Sequence, residues 1–331
     1  MNSKAFTRNA LRRLRLTKRQ KTTARRKPQT PKIPRNLPKP LPLRRTVLKL
    51  KDYRNKLKEM LLSISPEEGD VIADMLLCEA LGVERGHLLA HLDDETPKEI
   101  DAFVSGAVFE LSLGKPLQYV LGKCNFYGYE IKVGNGVFIP RSDTEIGVKA
   151  ALGLLKDGDI FADICSGSGC ISKAISAEMP TVSGYALELS LKALPYTEMN
   201  LSGQKNVSVK RFDALDEDDY IELSRIIERP LDLVICNPPY IPTDDIQTLS
   251  PQVGFEPDTA LDGGEDGLRY YRTVTALVPH ILKKDGILIY EIGINQCDDV
   301  SKIMQDSGFQ VAVIKDYGGI DRILVGKRCF D

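Results

Sequence analysis

Apolar residues recur at helical spacing from Val47 to about Leu113: Leu57, Leu61 and Ile64, then Val71, Met75 and Leu76, then Ala102, Val108 and Leu111. Spacings of three and four place such residues on one helix face, so residues 46–118 are expected to form a small helical bundle. Within it, Ser65-Pro66-Glu67 reads as a helix N-cap followed by proline in the first turn. From Tyr119 to Pro140 the pattern shifts to β-formers punctuated by Gly122, Gly128, Gly134 and Gly136, which predicts a β-hairpin connector over residues 119–140. From Arg141 onward, short apolar runs alternate with helical segments. Seven strands are expected: Ile160 to Ile164, Ser183 to Glu188, Val207 to Phe212, Leu231 to Cys236, Gly286 to Glu291, Phe309 to Ile314 and Arg322 to Gly326. That alternation predicts an α/β class with a seven-stranded, mostly parallel sheet covered by helices over residues 141–331. Ligands of such sheets bind beyond the carboxyl ends of the strands, near the switch in strand order.

The charge is unevenly placed. The formal net charge is −1, yet the first 51 residues hold 18 of the 45 Lys and Arg and no Asp or Glu. The remaining 280 residues therefore carry 27 basic against 46 acidic side chains, a net of −19. Residues 1–45 include PKIPRNLPKPLPLRR, whose prolines exclude regular structure, so a disordered basic tail is expected. Ahead of it, Phe6, Ala10 and Leu14 would share one helical face and Arg8, Arg12, Arg15 and Arg19 the other. An organelle-targeting segment has that character, and so does a basic arm that seeks nucleic acid or the ribosome.

Several classes fall away. No apolar run approaches the ~18 residues a membrane-spanning helix needs, so no membrane partner is expected. The seven cysteines are odd in number and scattered, which suits a reducing compartment: cytoplasmic, or mitochondrial if the basic segment is a transit peptide. His87 and His91 lie four apart without an HExxH pattern, and Cys165 and Cys170 have no second pair, so no metal is expected.

Two segments carry chemistry. Asp163-Ile-Cys-Ser-Gly-Ser-Gly169 follows the first strand and precedes a helix, where glycines allow close approach of a ligand to a helix N-terminus. The dinucleotide fingerprint fails, because Ser172 stands at its third glycine, which argues against a dehydrogenase. Glu188 ends the second strand, where an acid can accept both hydroxyls of a ribose, and Asp213-Ala214 follows the third, placed for an adenine edge. Three strand-end cues in order point to a nucleoside ligand. The second segment is Asn237-Pro-Pro-Tyr240, directly after the fourth strand. Its prolines fix φ and donate no N–H, so the carboxamide of Asn237 and the carbonyl of Pro238 can accept both hydrogens of a planar NH2 group, with Tyr240 beside it. In one sheet with a nucleoside loop, this points to methyl transfer onto a planar nitrogen.

Asp163 to Gly169, Glu188 and Asn237 to Tyr240 resemble S-adenosylmethionine-dependent methyltransferases of the Rossmann-like class. More narrowly, the chain resembles the peptide chain release factor glutamine N5-methyltransferase family (HemK/PrmC). Gly114 to Tyr119, Phe138 to Glu145, Glu256 to Gly264 with Asp266 to Leu268, Glu291 to Gly293 with Gln296, and Asp321-Arg322 carry that resemblance in order from about residue 50. The resemblance implies that Asn237 and the Pro238 carbonyl hold a glutamine amide, with Pro239 and Tyr240 completing the substrate site. It implies that Asp163, Cys165, Ser166, Gly167, Ser168, Gly169 and Asn237 bind the cofactor, with Gly167, Ser168 and Gly169 lining its methionine part, Glu188 on its ribose and Asp213 with Ala214 on its adenine. The substrate would be a class I release factor carrying a Gly-Gly-Gln loop, gripped by residues 46–118, and the enzyme would be a monomer. Cys165 stands where the family usually has glycine, Glu188 where it has aspartate, and Ala214 where some members have an aromatic. Residues 256–268 are expected either near the substrate mouth or as a plain surface connection. Two other readings share features: a DNA, rRNA or tRNA amino-methyltransferase, and a noncatalytic ribosome-binding adaptor. The acidic body argues against direct nucleic-acid binding, which usually shows a basic stripe. The adaptor leaves Asn237-Pro-Pro-Tyr240 without a purpose.

Overall fold

The computed structural model describes residues 48–329. The basic tail and its amphipathic segment lie outside the described residues. Five helices come first: α1 Leu50–Leu62, α2 Gly69–Leu81, α3 Arg85–Ala90, α4 Ile100–Ser112 and α5 Leu117–Leu121. Leu57, Leu61, Leu76, Leu77 and Val104 are fully buried at their common core. The spacing chose the right face for α1; in α2 Leu76 is buried as expected, but Val71 is 54% and Met75 42% exposed, and Ile72, Ala73 and Leu77 turn inward instead. This helix is apolar around most of its circumference, so periodicity cannot select its buried side; packing against α1 does. Ser65-Pro66-Glu67 forms a turn rather than a cap, with the Gly69 N–H donating to the Ser65 carbonyl at 3.0 Å. A Cβ on Gly69 would stand 2.9 Å from the Leu62 nitrogen, so glycine is what lets α2 start so close to the end of α1.

Asp74 is buried in this helical core, yet it accepts from Arg54 Nε at 2.5 Å and Arg85 Nε at 2.9 Å. Burial pushes its pKa upward, and the two guanidiniums outweigh that, holding it below the ordinary carboxylate value. The rings of His87 and His91 stack at 3.9 Å, and His91 Nδ1 lies 2.8 Å from the His87 carbonyl. Among the described residues no helix is long and apolar enough to cross a membrane.

Strands β1 Lys123–Phe126 and β2 Tyr129–Lys132 form an antiparallel hairpin closed by Tyr127 and Gly128, both at positive φ. Two left-handed residues make the turn whose twist matches the strands. The expected connector began four residues before β1, since Tyr119 belongs to α5, where its hydroxyl donates to the Val137 carbonyl.

The main sheet contains β3 Ile160–Ile164, β4 Ser183–Glu188, β5 Val207–Arg211, β6 Leu231–Cys236, β7 Leu282–Glu291, β8 Phe309–Lys315 and β9 Asp321–Arg328. Their order is β5-β4-β3-β6-β7-β9-β8. The first five run parallel, and β9 and β8 join antiparallel. Every residue of β3 and β6 is buried, as expected for central strands covered on both faces. Alternating residues enter two separate cores: Ala162, Ile164 and Val234 face one with α9 (Glu217–Ile226), α10 (Arg269–Leu277) and α11 (Cys297–Asp306), while Phe161 and Ile235 face another with α6 (Thr144–Leu154) and α7 (Cys170–Glu178). Strand order reverses between β3 and β6, and the loops after those two strands therefore border one crevice.

Candidate active site

At that crevice lies a cavity of about 520 Å³, within the ordinary range for small-molecule sites. Cys165, Ser166, Gly167 and Ser168 line it from β3, Glu188 from β4, Asp213 and Ala214 from β5, and Asn237 to Tyr240 from β6. The first loop turns sharply: Cys165, Gly167 and Gly169 have φ of 62°, 55° and 77°. Gly169 caps α7 from behind the wall rather than lining it. Asp163 is also behind the wall, contrary to the cofactor contact expected of it. Its Oδ2 accepts from the Ser172 N–H at 3.1 Å and the Ser172 hydroxyl at 2.8 Å, so it ties the first turn of α7 to β3. Full burial pushes its pKa to about 7.

Neighbouring elements hold the loop in shape. Glu188 Oε2 accepts from the Gly167 N–H at 2.7 Å, and Oε1 from the Ser190 N–H at 2.6 Å. Burial raises the Glu188 pKa, and these N–H groups work against it. On helix α8 (Leu194–Leu201), the Thr197 hydroxyl donates to the Gly167 carbonyl and Asn200 Nδ2 to that of Ser168. The Ser166 hydroxyl, by contrast, is buried at the wall with no partner. Asp213 accepts from the Leu215 N–H, and beyond Ala214 the wall continues as Phe212 and Tyr270.

The turn at Asn237-Pro-Pro-Tyr240 is cradled from below. Gln296 Nε2 donates to the Tyr240 carbonyl at 3.0 Å, while its Oε1 accepts from the Gly293 N–H. A Cβ on Gly263 would lie 2.7 Å from the Tyr240 Cα, and one on Gly267 would collide with the Tyr240 oxygen. Residues 256–268 are thus packed against the turn, and Pro257 to Asp262 line the cavity. Buried Glu256 accepts from the Ile139 N–H and the Arg141 guanidinium, and Arg141 reaches the cavity with Phe138 beneath it.

Two functional candidates escaped the sequence reading. Thr144 begins α6, lines the cavity, and receives a bond from Asn237 Nδ2 at 3.3 Å. Glu291 ends β7 and accepts from the Thr144 hydroxyl at 2.6 Å. Both are visible in the sequence only as parts of family-like segments, Phe138 to Glu145 and Glu291 to Gly293; for Glu291, an acid at a strand's carboxyl end was the available signal.

The family model described as the PrmC N-terminal domain matches residues 52–122, and that described as the methyltransferase small domain matches residues 128–250. The release factor glutamine methyltransferase of Thermodesulfovibrio yellowstonii is 36% identical over 262 residues, which covers 76% of this chain and 90% of that protein. Its namesake in Fusobacterium nucleatum is 40% identical over 223 residues, 65% of this chain and 60% of that relative's length. Among solved structures, the release factor-specific protein-(glutamine-N5) methyltransferase of Alicyclobacillus acidocaldarius is 31% identical, covering 58% of this chain and 95% of that one with a TM-score of 0.38.

Proposed function

The chain belongs to the release factor glutamine methyltransferase family, and from that premise we propose that it methylates the side-chain amide nitrogen of the glutamine in the Gly-Gly-Gln loop of a class I peptide chain release factor. The observation that carries the reading is the meeting of the 165–168 loop and Asn237-Pro-Pro-Tyr240 in one cavity.

The residues present fit S-adenosylmethionine. The unpartnered Ser166 hydroxyl gives the loop a free polar group, and Glu188 keeps lone pairs beyond the two N–H bonds it accepts. We assign Gly167 and Ser168 to the methionine part, Glu188 to the ribose, and Asp213 with Ala214 to the adenine. Asp163 and Gly169 support the loop from behind. When bound, S-adenosylmethionine supplies an electrophilic methyl on a positively charged sulfur.

A glutamine amide nitrogen is a poor nucleophile because its lone pair is delocalised into the carbonyl. Asn237 and the Pro238 carbonyl, both held at a rigid turn, accept the two amide hydrogens and thereby aim the nitrogen along one direction. The same acceptors stabilise the positive charge that develops on nitrogen, a preorganised electrostatic effect. Fixing two reactants in register supplies ~7 kcal/mol or more of a barrier of this kind. Tyr240 packs beside the amide and excludes water. No strong base is required before transfer, because the nitrogen becomes acidic only once methylated.

We further assign the segment 46–118, which carries α1 to α4, to gripping the protein partner. Seven free thiols suit a reducing compartment such as the cytoplasm. Mass spectrometry of a release factor co-expressed with this protein tests the proposal: one added methyl on the loop glutamine is expected. Methylation of RNA with an unmodified release factor would overturn it.

A further inference from the structure

Asn237 can serve as an acceptor only if its carboxamide points the right way, and a carboxamide turned by half a revolution presents its NH2 instead. A flipped Asn237 would set donor against donor and add partial positive charge where positive charge develops. We propose that Glu291, acting through the Thr144 hydroxyl, fixes the orientation of Asn237 so that its oxygen is the atom offered to the target amide. The inference rests on the methyl-transfer reading above.

The parallel register of β6 with β7 pairs Cys236 with Tyr290, which brings the next residues, Asn237 and Glu291, side by side at the carboxyl edge of the sheet. Thr144 descends on them from the first turn of α6. Its hydroxyl has one proton and two lone pairs. An ionised carboxylate only accepts, so the proton goes to Glu291 Oε2 at 2.6 Å and a lone pair is left for Asn237. Asn237 must then turn its Nδ2 to Thr144, and it does, at 3.3 Å. Its oxygen, on the other branch of the carboxamide, is left for the cavity that Asn237 lines. Thr144 and Glu291 are both almost fully buried, so no bulk water competes for these bonds.

The polarity of this chain depends on the charge of Glu291. Burial pushes its carboxyl up to about 7, against the bond from Thr144, the nearby Arg322 and the neighbouring Asn237 carboxamide. Arg322 on β9 and Asp143 just ahead of α6 are the charged groups facing it; Tyr240 from the turn after β6 and Tyr271 from α10 are the other titratable neighbours. Arg322 is shared with Asp143 and Asp316, each at 3.4 Å, so it does not neutralise Glu291 alone. A protonated Glu291 no longer compels Thr144 to donate toward it, and the orientation of Asn237 is released.

The test compares the full chain with T144V, T144S and E291Q, measuring kcat, KM for S-adenosylmethionine and KM for release factor across pH, with cofactor binding followed by calorimetry. T144V should lose about tenfold or more in kcat while cofactor affinity stays unchanged, and T144S, which restores the hydroxyl, should recover to within about threefold of the wild type. E291Q should lower kcat and remove the acid limb of the kcat profile near neutrality. Should T144V fail to fold, E291Q keeps the test open, since it removes a buried charge rather than adding strain. Wild-type kcat in T144V, or an acid limb that persists in E291Q, overturns this inference while leaving the methyl-transfer reading intact. A wild-type chain inert toward release factors sinks that reading and the inference with it.

Discussion

Ile164 at the end of β3 pairs in parallel register with Cys236 at the end of β6. Each is followed at once by a functional loop, Cys165 to Gly169 in one case and Asn237 to Tyr240 in the other. The register therefore places the two loops against each other, although Gly169 and Asn237 are 68 positions apart in the chain.

Removing the acceptor should stop the chemistry without emptying the site. Asn237→Ala is expected to lower turnover at least about a hundredfold, the scale on which a lost transition-state hydrogen bond is felt. Calorimetry should find cofactor binding largely preserved, and a variant with near wild-type turnover would contradict the role.

Glu188 shapes the loop as well as facing the cavity. Glu188→Ala leaves the Gly167 and Ser190 N–H groups without their charged acceptor, each such bond being worth ~1.5–3 kcal/mol. Cofactor affinity should fall by about tenfold or more in a titration.

Gly267 has no room for a side chain. A Cβ there would meet the Tyr240 oxygen, and its φ of 73° is strained for any L side chain. Gly267→Ala should displace Tyr240 and cost more than about 2 kcal/mol of stability, read by chemical unfolding, together with most of the turnover.

Asp74 provides a pH-dependent test remote from the site. Its folded pKa lies below the unfolded value, so its contribution is complete above the unfolded carboxylate range and lost as pH falls through the folded pKa. Asp74→Asn should destabilise the protein by roughly 3 kcal/mol at neutral pH, because Arg54 loses its partner in a buried position. The difference between variant and wild type should shrink in acid below pH ~4. A deficit of constant size across that range would refute the ion-pair account.

Much of the site was legible because its residues carry local chemistry. The glycines of the 165–169 loop and the prolines of Asn237-Pro-Pro-Tyr240 restrict or free the backbone wherever they stand, and both follow apolar runs that could only be buried strands. Cys165 adopts a left-handed φ of 62°, a conformation that glycine takes freely, so a side chain there makes the loop bear the strain. Asp163 is the opposite case. An acid after a strand looks alike in sequence whether it meets a ligand or caps the next helix, and only the position of Ser172 decides between them.

The sequence by itself determined the α/β class, the order of strands and helices, and the two segments that do the chemistry, since period, turn residues and backbone restriction act over a few neighbours. The tertiary structure alone decided which face of α2 is buried, where residues 256–268 lie, and that Glu291 and Thr144 stand behind Asn237. Those facts depend on strand register and packing between segments up to 147 residues apart, and no local pattern encodes a contact whose partners approach only when the sheet closes.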